Sequence, residues 1–423
     1  LSVLRVSKYW NTVSSSDVIW KHFCLMEGFP VDRNSIDDII YVTNAKLSNC
    51  KNNSIPTNQF YLKNYVRYKN IEYNWKSCKP SDKMLMRGHD DHVITCLEYC
   101  GDLVVSASDD NTVNVWSANT GECLATMLGH TGGVWACKMN PEMLATGSTD
   151  RSIRIWKLHN YECKFVLLGH SSTVRCLALY KDRLMSGSRD ADLRLWSLST
   201  GECLSVFSGH TAAVRCLQFT EKYLISGSYD CTVRVWNHNK QNIIHVLTGH
   251  TNRIYSLEFD GSLIVSGSLD TCIRIWNVVN GCCMHVLVGH SSLTSGLKIV
   301  KNILISANAD TTLRAWDLIT GRCLHVFSSR KPHTSAITCM EIVGDKVVSA
   351  SDDGTVKLWN LYTGNYYCDL VKLVTRENGG VVWRLRCSRT KLVCAMGSRN
   401  GTEETKLVVL NFEAKDFLML DNR

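Results

Sequence analysis

Gly169-His170-Ser171-Ser172-Thr173-Val174-Arg175-Cys176-Leu177-Ala178-Leu179, then Ser186-Gly187-Ser188-Arg189-Asp190 and Leu193-Arg194-Leu195-Trp196, form one unit of a pattern that fills most of this 423-residue chain. Gly-His opens the unit and an alternating apolar run follows. A second run ends in Ser-Gly-Ser-x-Asp and a third ends on Trp. A turn at Thr200-Gly201 leads to a fourth run, Cys203 to Phe207, and then to the next Gly-His. Four short segments of period two, separated by Gly, Asn and Asp turns, predict four antiparallel strands per unit.

The opening histidine returns as His89, His130, His170, His210, His250, His290 and His333, a spacing of roughly forty residues, and a fixed period of that size decides the architecture before any local reading does. The unit has the WD-repeat pattern of β-propeller blades, although only Trp316-Asp317 keeps the literal dipeptide. An eighth unit follows without the signature His and Trp. Gly380-Val381-Val382-Trp383-Arg384-Leu385 matches the first strand, Met396-Gly397-Ser398-Arg399-Asn400 the turn, and Leu407 to Leu410 the third strand. The expected fold is mainly β, an eight-bladed WD40 β-propeller behind a short α-helical N-terminal part, with seven blades as the alternative. Lys83-Met84-Leu85-Met86 reads as a fourth strand that completes the last blade and leaves no unpaired sheet edge there.

Composition fits an ordinary globular chain, with 45% hydrophobic and 20% charged residues and a net charge of +8. No apolar run approaches the length of about 18 residues needed to span a membrane, and no signal-peptide pattern is present. The chain starts at Leu1 rather than Met, so a fragment is expected, with its N-terminus and any targeting signal outside it. Nine of the 20 cysteines recur at two repeat positions: Cys96, Cys137, Cys176 and Cys216 on the first strand, and Cys123, Cys163, Cys203, Cys283 and Cys323 before the fourth. Without a Cys-x-x-Cys spacing a zinc site has no support, and small buried hydrophobes are the expected role. Reduced thiols suit the nucleus or cytoplasm. No cofactor or metal is implied.

The period also separates scaffold from site. Arg154, Arg194, Arg234, Arg274, Arg314 and Lys357 share one position two residues before the Trp, so they are outward strand residues. The His, Ser, Asp and Trp of each unit are expected to form a buried hydrogen-bonded tetrad, not a catalytic set, so the chain reads as non-enzymatic. Two positions per blade vary and face the channel mouth. Five residues after the histidine stand Ile94, Trp135, Arg175, Arg215, Tyr255, Ser295 and Thr338, with Trp383 in the eighth unit. The x of Ser-Gly-Ser-x-Asp is Asp109, Thr149, Arg189, Tyr229, Leu269, Ala309, Asp352 and Arg399. Arg175, Arg189 and Arg215 converge, with Tyr229 and Tyr255 beside them. Three guanidinium groups repel each other unless an anion sits among them, and planar Arg suits a phosphate dianion. The competing reading is scattered, solvated arginines.

The N-terminal region differs in kind. Asp17 to Gly28 reads as a helix capped by Ser16, with Ile19, Phe23 and Met26 on one face and Gly28 at its end. Phe60 to Trp75, rich in Tyr, reads as a helical connector.

Leu4-Arg5-Val6-Ser7-Lys8-Tyr9-Trp10, followed by Asp17-Val18-Ile19-Trp20, resembles the C-terminal half of an F-box. Gly88-His89-Asp90-Asp91-His92-Val93-Ile94-Thr95-Cys96, Ser266-Gly267-Ser268-Leu269-Asp270-Thr271 and Gly397 to Leu407 resemble the archipelago-type F-box/WD-repeat family, substrate receptors of Skp–cullin–F-box ubiquitin ligases. The resemblance implies an F-box remnant over 1–29, a mostly helical linker over 30–81 and the propeller over 82–423. It implies that Arg175, Arg189 and Arg215, with Tyr229, Tyr255, Trp135 and Arg399, bind a phosphorylated Thr-Pro degron, and that Ser172 and Thr173 lie near a second phosphate. Trp10, Trp20 and Phe23 would face a Skp-family adaptor, which brings in a cullin–RING ligase for ubiquitination and proteasomal degradation. The first F-box helix and a dimerisation segment are absent from the chain, so dimerisation would need the missing N-terminal part. No membrane or nucleic-acid partner is implied. The alternative is a WD40 scaffold that binds acidic protein or RNA surfaces outside the ubiquitin pathway, with a salt-dependent and phosphorylation-independent affinity.

Overall fold

Each repeat becomes one four-stranded antiparallel sheet. The computed structural model describes residues 16–31, 60–89, 92–373, 380–398 and 405–413. By contact the chain forms two units, residues 82–411 and residues 1–81 with 412–423.

The 82–411 unit contains eight such sheets. In blade three the strands are Val174–Tyr180, Arg183–Ser188, Leu193–Ser197 and Cys203–Phe207, ordered from the inside outward. Each innermost strand packs beside that of the next blade, and Gly380–Cys387 of blade eight packs beside Ile94–Cys100 of blade one, so the ring is closed. Blade eight takes its outermost strand from the start of the unit. Asp82–Arg87 pairs antiparallel with Lys406–Asn411, from Asp82 opposite Asn411 to Arg87 opposite Lys406. Eight blades, not seven, are present, and the closing strand is the one the sequence predicts.

Between blades lie dry apolar clusters. Ala136, Ile153, Ile155, Val174, Leu177, Leu184 and Trp196 form the one joining blades two and three. The polar signature residues lock each blade internally. Trp196 Nε1 donates to Ser186 Oγ at 2.9 Å, Ser186 pairs with His170 Nε2 at 2.8 Å, and His170 Nδ1 meets Asp190 at 2.9 Å. Blade two makes the same chain with Thr146 in place of Ser. Burial alone raises the Asp190 carboxyl, but the hydrogen bond and charge of His170 and two backbone amides outweigh it and bring it down to about 2. The recurring arginine before the Trp is scaffold as well. Gly169 has φ +155°, and a Cβ there would stand 2.8 Å from Arg194 Nη1, so glycine serves both the turn and the close approach.

Two cysteine expectations need correction. Cys123, Cys163, Cys203, Cys283 and Cys323 are exposed, because they begin the outermost strands, where no further strand covers them. Cys137 is not equivalent to Cys176: it pairs with Thr146, whereas Cys176 pairs with Gly187, one step away in register. Cys78 is disulfide-bonded, so the thiols are not all free. Among the described residues no helix is long and apolar enough to cross a membrane.

In the other unit, α1 spans Asp17–Met26 and α2 spans Phe60–Lys76. Ser16 is the N-cap residue but makes no side-chain cap; Asp17 Oδ1 accepts from the Tyr61 amide at 2.8 Å instead. Gly28 (φ +65°) ends α1 as expected. Its amide bonds to Leu25 O and that of Phe29 to Cys24 O, the Schellman arrangement that satisfies the last carbonyls. The buried face of α1 is not Ile19, Phe23 and Met26. Cys24 is buried, while Phe23 and Met26 are 42% and 71% exposed. The reason is the approach of α2, whose Tyr65 ring lies 5.2 Å from Trp20. Trp75 of α2 stacks on Phe412 at 3.7 Å, and Arg67 pairs with Glu413.

Candidate ligand-binding face of the propeller

A backbone irregularity at the same point of every innermost strand builds the site. In blade three Val174 pairs with Ser188 and Cys176 with Gly187, which leaves Arg175 unpaired between them. Such a bulge bends the strand and re-aims the extra side chain. The same slip frees Trp135, Arg215, Tyr255, Ser295, Thr338 and Trp383. In blade one the freed residue is Thr95, not the expected Ile94, which pairs with Ser108 and is buried. One extra residue separates His89 from its strand, so counting from the histidine falls one short.

Chemistry then divides this ring of bulges. Ser295 Oγ donates to Ile337 O at 2.6 Å and Thr338 Oγ1 to Val382 O at 2.6 Å, in each case in the following blade. Thr95 Oγ1 likewise reaches Val134 O. These short hydroxyls staple neighbouring blades. Trp135, Arg175, Arg215 and Tyr255, in blades two to five, are half-buried side chains too long for that role.

Arg175, Arg189, Ala213, Val214, Arg215 and Tyr229 line a cavity of about 160 Å³. Among the described residues no carboxylate pairs with any of its three arginines. The Arg215 Nε is buried without a hydrogen-bond partner. Burial first, then the positive charge of Arg215 and also that of Arg189, lower the Arg175 pKa, and Tyr229 partly offsets this. Arg175 lies over the Trp135 ring at 4.5 Å. Tyr229 and Tyr255 stand 5.2 Å apart, with Arg215 5.9 Å from the Tyr255 ring. Burial, then the hydrogen bond with Tyr255, raise the Tyr229 hydroxyl.

Ser172 and Thr173 flank this group. The Arg189 amide donates to Thr173 O at 2.9 Å and Ser188 Oγ to Ser172 O at 3.1 Å, so two hydrogen bonds tie the loop to the Arg189 turn. The structure therefore brings Arg175, Arg189, Arg215, Tyr229, Tyr255, Trp135, Ser172 and Thr173 to neighbouring blades. Arg399 and Trp10 lie outside the described residues. Trp20, half-buried against Tyr65, and Phe23, exposed, are on α1 in the other unit, where Val18, Leu25 and Met26 are also exposed.

Sequence reasoning missed two cations. Arg253, exposed on the loop before the blade-five bulge, lies 5.1 Å from the Tyr229 ring. Arg384 follows the bulge of blade eight and faces Ala395. At the same register the other blades carry Cys96, Ala136, Cys176, Cys216, Ser256, Gly296 and Cys339, each opposite Gly or Ala. The signal was a third repeat column, small in every blade but the last. Arg384 Nε donates to Thr95 O at 2.6 Å and Nη1 to Trp383 O at 3.1 Å. Two residues on, Arg386 is fully paired, with Glu341 at 2.8 Å and Glu98 at 3.2 Å.

Comparison with known proteins agrees with this architecture. The family described as "WD domain, G-beta repeat" matches residues 81–117, 121–157, 161–197, 201–237, 241–277 and 321–360, more than half of the chain. The chain is 56% identical over 72 residues to F-box/WD repeat-containing protein 7 of Drosophila melanogaster, and 41% identical over 161 residues to F-box/WD repeat-containing protein sel-10 of Caenorhabditis elegans. It is 31% identical over 143 residues to cell division control protein 4 of Saccharomyces cerevisiae. These matches cover 17%, 33% and 33% of the chain, and only 5%, 27% and 17% of the relatives' own lengths. Among solved structures, the computationally designed Ika8 protein superposes with a TM-score of 0.68 at 30% identity, covering 77% of this chain and 98% of that one. With its period, its tetrads and its matched repeats all in agreement, the chain belongs to the WD-repeat family.

Proposed function

We propose that this chain is the substrate-recognition subunit of a Skp–cullin–F-box ubiquitin ligase, acting in the nucleus or cytoplasm, and that its propeller face captures phosphorylated Thr-Pro degrons. One observation carries the reading: Arg175, Arg189 and Arg215 surround a cavity with no paired carboxylate among the described residues. A phosphate dianion supplies the missing charge and the missing acceptors. A charge-assisted hydrogen bond contributes about 1.5–3 kcal/mol, so three arginines are enough to make binding depend on phosphorylation.

In this reading Tyr229 adds a hydroxyl donor, while Trp135 and Tyr255 offer flat apolar surfaces to the proline and its neighbours. Ser172 and Thr173, beside Arg189, receive a second phosphate, and Arg399 adds charge. Trp10, Trp20 and Phe23 dock the adaptor; the exposed apolar side chains of α1 support that assignment. The chain itself performs no chemistry. Ubiquitin transfer belongs to the cullin–RING partner, and degradation to the proteasome. Similarity to F-box/WD repeat proteins supports the same reading.

Binding of a doubly phosphorylated Thr-Pro peptide and its unphosphorylated twin, to the wild type and to Arg215→Ala, tests the proposal. The wild type should bind the phosphorylated peptide alone, and the variant should lose it. Equal affinity for both peptides, or an unaffected variant, would overturn the reading. An affinity for RNA that falls steeply with salt, with indifference to peptide phosphorylation, would favour a scaffold outside the ubiquitin pathway.

A further inference from the structure

We propose that the propeller face opposite the three arginines carries a second binding site, a groove between blades three and four that takes an arginine side chain of a protein partner. The inference is independent of the phosphate reading.

Two breaks in the repeat build the groove. Two residues after the tetrad Trp stand Ala118, Leu158, Leu198, Val278, Leu318 and Leu361, all buried. Blade four has His238 there, only 6% exposed. The second break concerns the cover of each seam. Phe165, His245, His285 and His325 share one register of the outermost strand. They lie over the turn glycines Gly201, Gly281, Gly321 and Gly364 of the next blade. Blade three holds Ser205 at that register, and the turn of blade four carries an exposed Gln241 instead of glycine. Blade one is small there too, with Ala125, but Tyr161 of the next turn packs onto the core. At the seam of blades three and four a cavity of about 560 Å³ remains. Its wall includes the turn from Tyr180 to Arg183, at the end of strand Arg183–Ser188 remote from Arg189.

His238 dictates what the groove accepts. Its Nε2 bonds to Glu221 O at 2.8 Å. A carbonyl can only accept, so Nε2 carries the proton and Nδ1 of the neutral ring is an acceptor. That Nδ1 is buried without a hydrogen-bond partner. Phe219 fixes the ring, edge-on to His238 at 5.2 Å and to Tyr180 at 5.9 Å. A buried acceptor without a partner calls for a donor.

The charges around it specify the kind of donor. Asp182, Glu202 and Glu221 outnumber Lys181 and Arg183, and Lys181 is already engaged by Glu221 at 3.2 Å. An anion is therefore disfavoured twice, by the Nδ1 lone pair and by the carboxylates. A guanidinium brings donors for Nδ1 and for a carboxylate in one plane. Its face suits Tyr180 and its aliphatic stem suits Leu204, both in the groove wall.

Capped pentapeptides Ala-Ala-X-Ala-Ala, with X arginine, its uncharged isostere citrulline, or norleucine, test this against the wild type, His238→Leu and Ser205→Phe. Leucine is what blades two, three, six and seven carry at the His238 position, and phenylalanine is the cover that blade two uses. Both variants should therefore melt no lower than the wild type. The wild type should bind the arginine peptide about ten-fold more tightly than the citrulline peptide, and the norleucine peptide not at all. Each variant should lose the arginine peptide by about ten-fold or more. A wild type that treats arginine like citrulline or norleucine would overturn the inference, as would undiminished binding in either variant. So would losses that come only with a lowered melting temperature in both variants, since those mark a structural role.

Discussion

The guanidinium of Arg175 is held 4.5 Å from the centre of the Trp135 ring, one blade away. Both residues are the unpaired members of strand bulges, so the same backbone device that projects the charge also projects the aromatic surface that orients it. A cation over a tryptophan face is stabilised by the ring quadrupole, and its rotamer is restricted before a ligand arrives.

Trp135→Ala should therefore weaken phosphopeptide binding although Trp135 carries no charge. A cation–π contact contributes about 0.5–2 kcal/mol, so a loss of about 2- to 30-fold is expected in a calorimetric titration, with Trp135→Phe in between. An alanine variant of wild-type affinity would show that Arg175 needs no such support.

Arg215→Met should raise stability while it destroys binding. The methionine removes a buried, unpartnered Nε and the repulsion it shares with Arg175, and apolar replacement of an uncompensated buried polar group is commonly stabilising. A gain of about 1 kcal/mol corresponds to a rise of about 1–3 °C in a unit of this size. A melting temperature below that of the wild type would mean that Arg215 is structural.

The tetrad should behave in the opposite way. Ser186→Ala leaves Trp196 Nε1 and His170 Nε2 unpaired in a buried place. Two orphaned polar groups cost about 2–6 kcal/mol, which chemical denaturation will read. Thr146→Ser, which keeps the hydroxyl, should change little. Comparable losses from both substitutions would refute the hydrogen-bond account.

Acid should destabilise the propeller in two stages. Burial lowers His130, His210 and His250 below the ordinary 6.5, against the pull of their aspartates. Asp150 and Asp190 fall from 3.8 to about 2, because their hydrogen bonds outweigh burial. In both cases the unfolded chain binds more protons, so stability rises with pH. The histidine contribution is complete above 6.5 and is lost as pH drops below it. The aspartate contribution is lost between 3.8 and about 2. Melting curves from neutral pH downward should show a steady fall; a rise on acidification would contradict the assignment.

Much of this was legible from residues alone, because repetition is a local property. Each unit carries its own turns, alternation and tetrad, and Lys83 to Met86 matches the strand missing from the last unit. Subtracting the period also isolated Arg175, Arg189 and Arg215. Position along the chain does not fix position across the sheet. The bulged residue of blade one is Thr95 and not Ile94 because one extra residue follows His89, and only strand pairing reveals the shift. The exposed cysteines were misplaced because position within a unit does not say which strand lies outermost.

The sequence by itself therefore determined the repeat, the strand that closes the ring and the short list of residues that break the repeat, and it left seven blades open beside eight. Those depend on period and pattern, which every unit carries within itself. Only the tertiary structure decided which of the variable residues project and which staple neighbouring blades, and that the Arg215 Nε is buried without a hydrogen-bond partner. It alone set the Arg384 Nε of blade eight against Thr95 O of blade one. Charge acts across space, and residues far apart in the chain share a field only once the ring has closed.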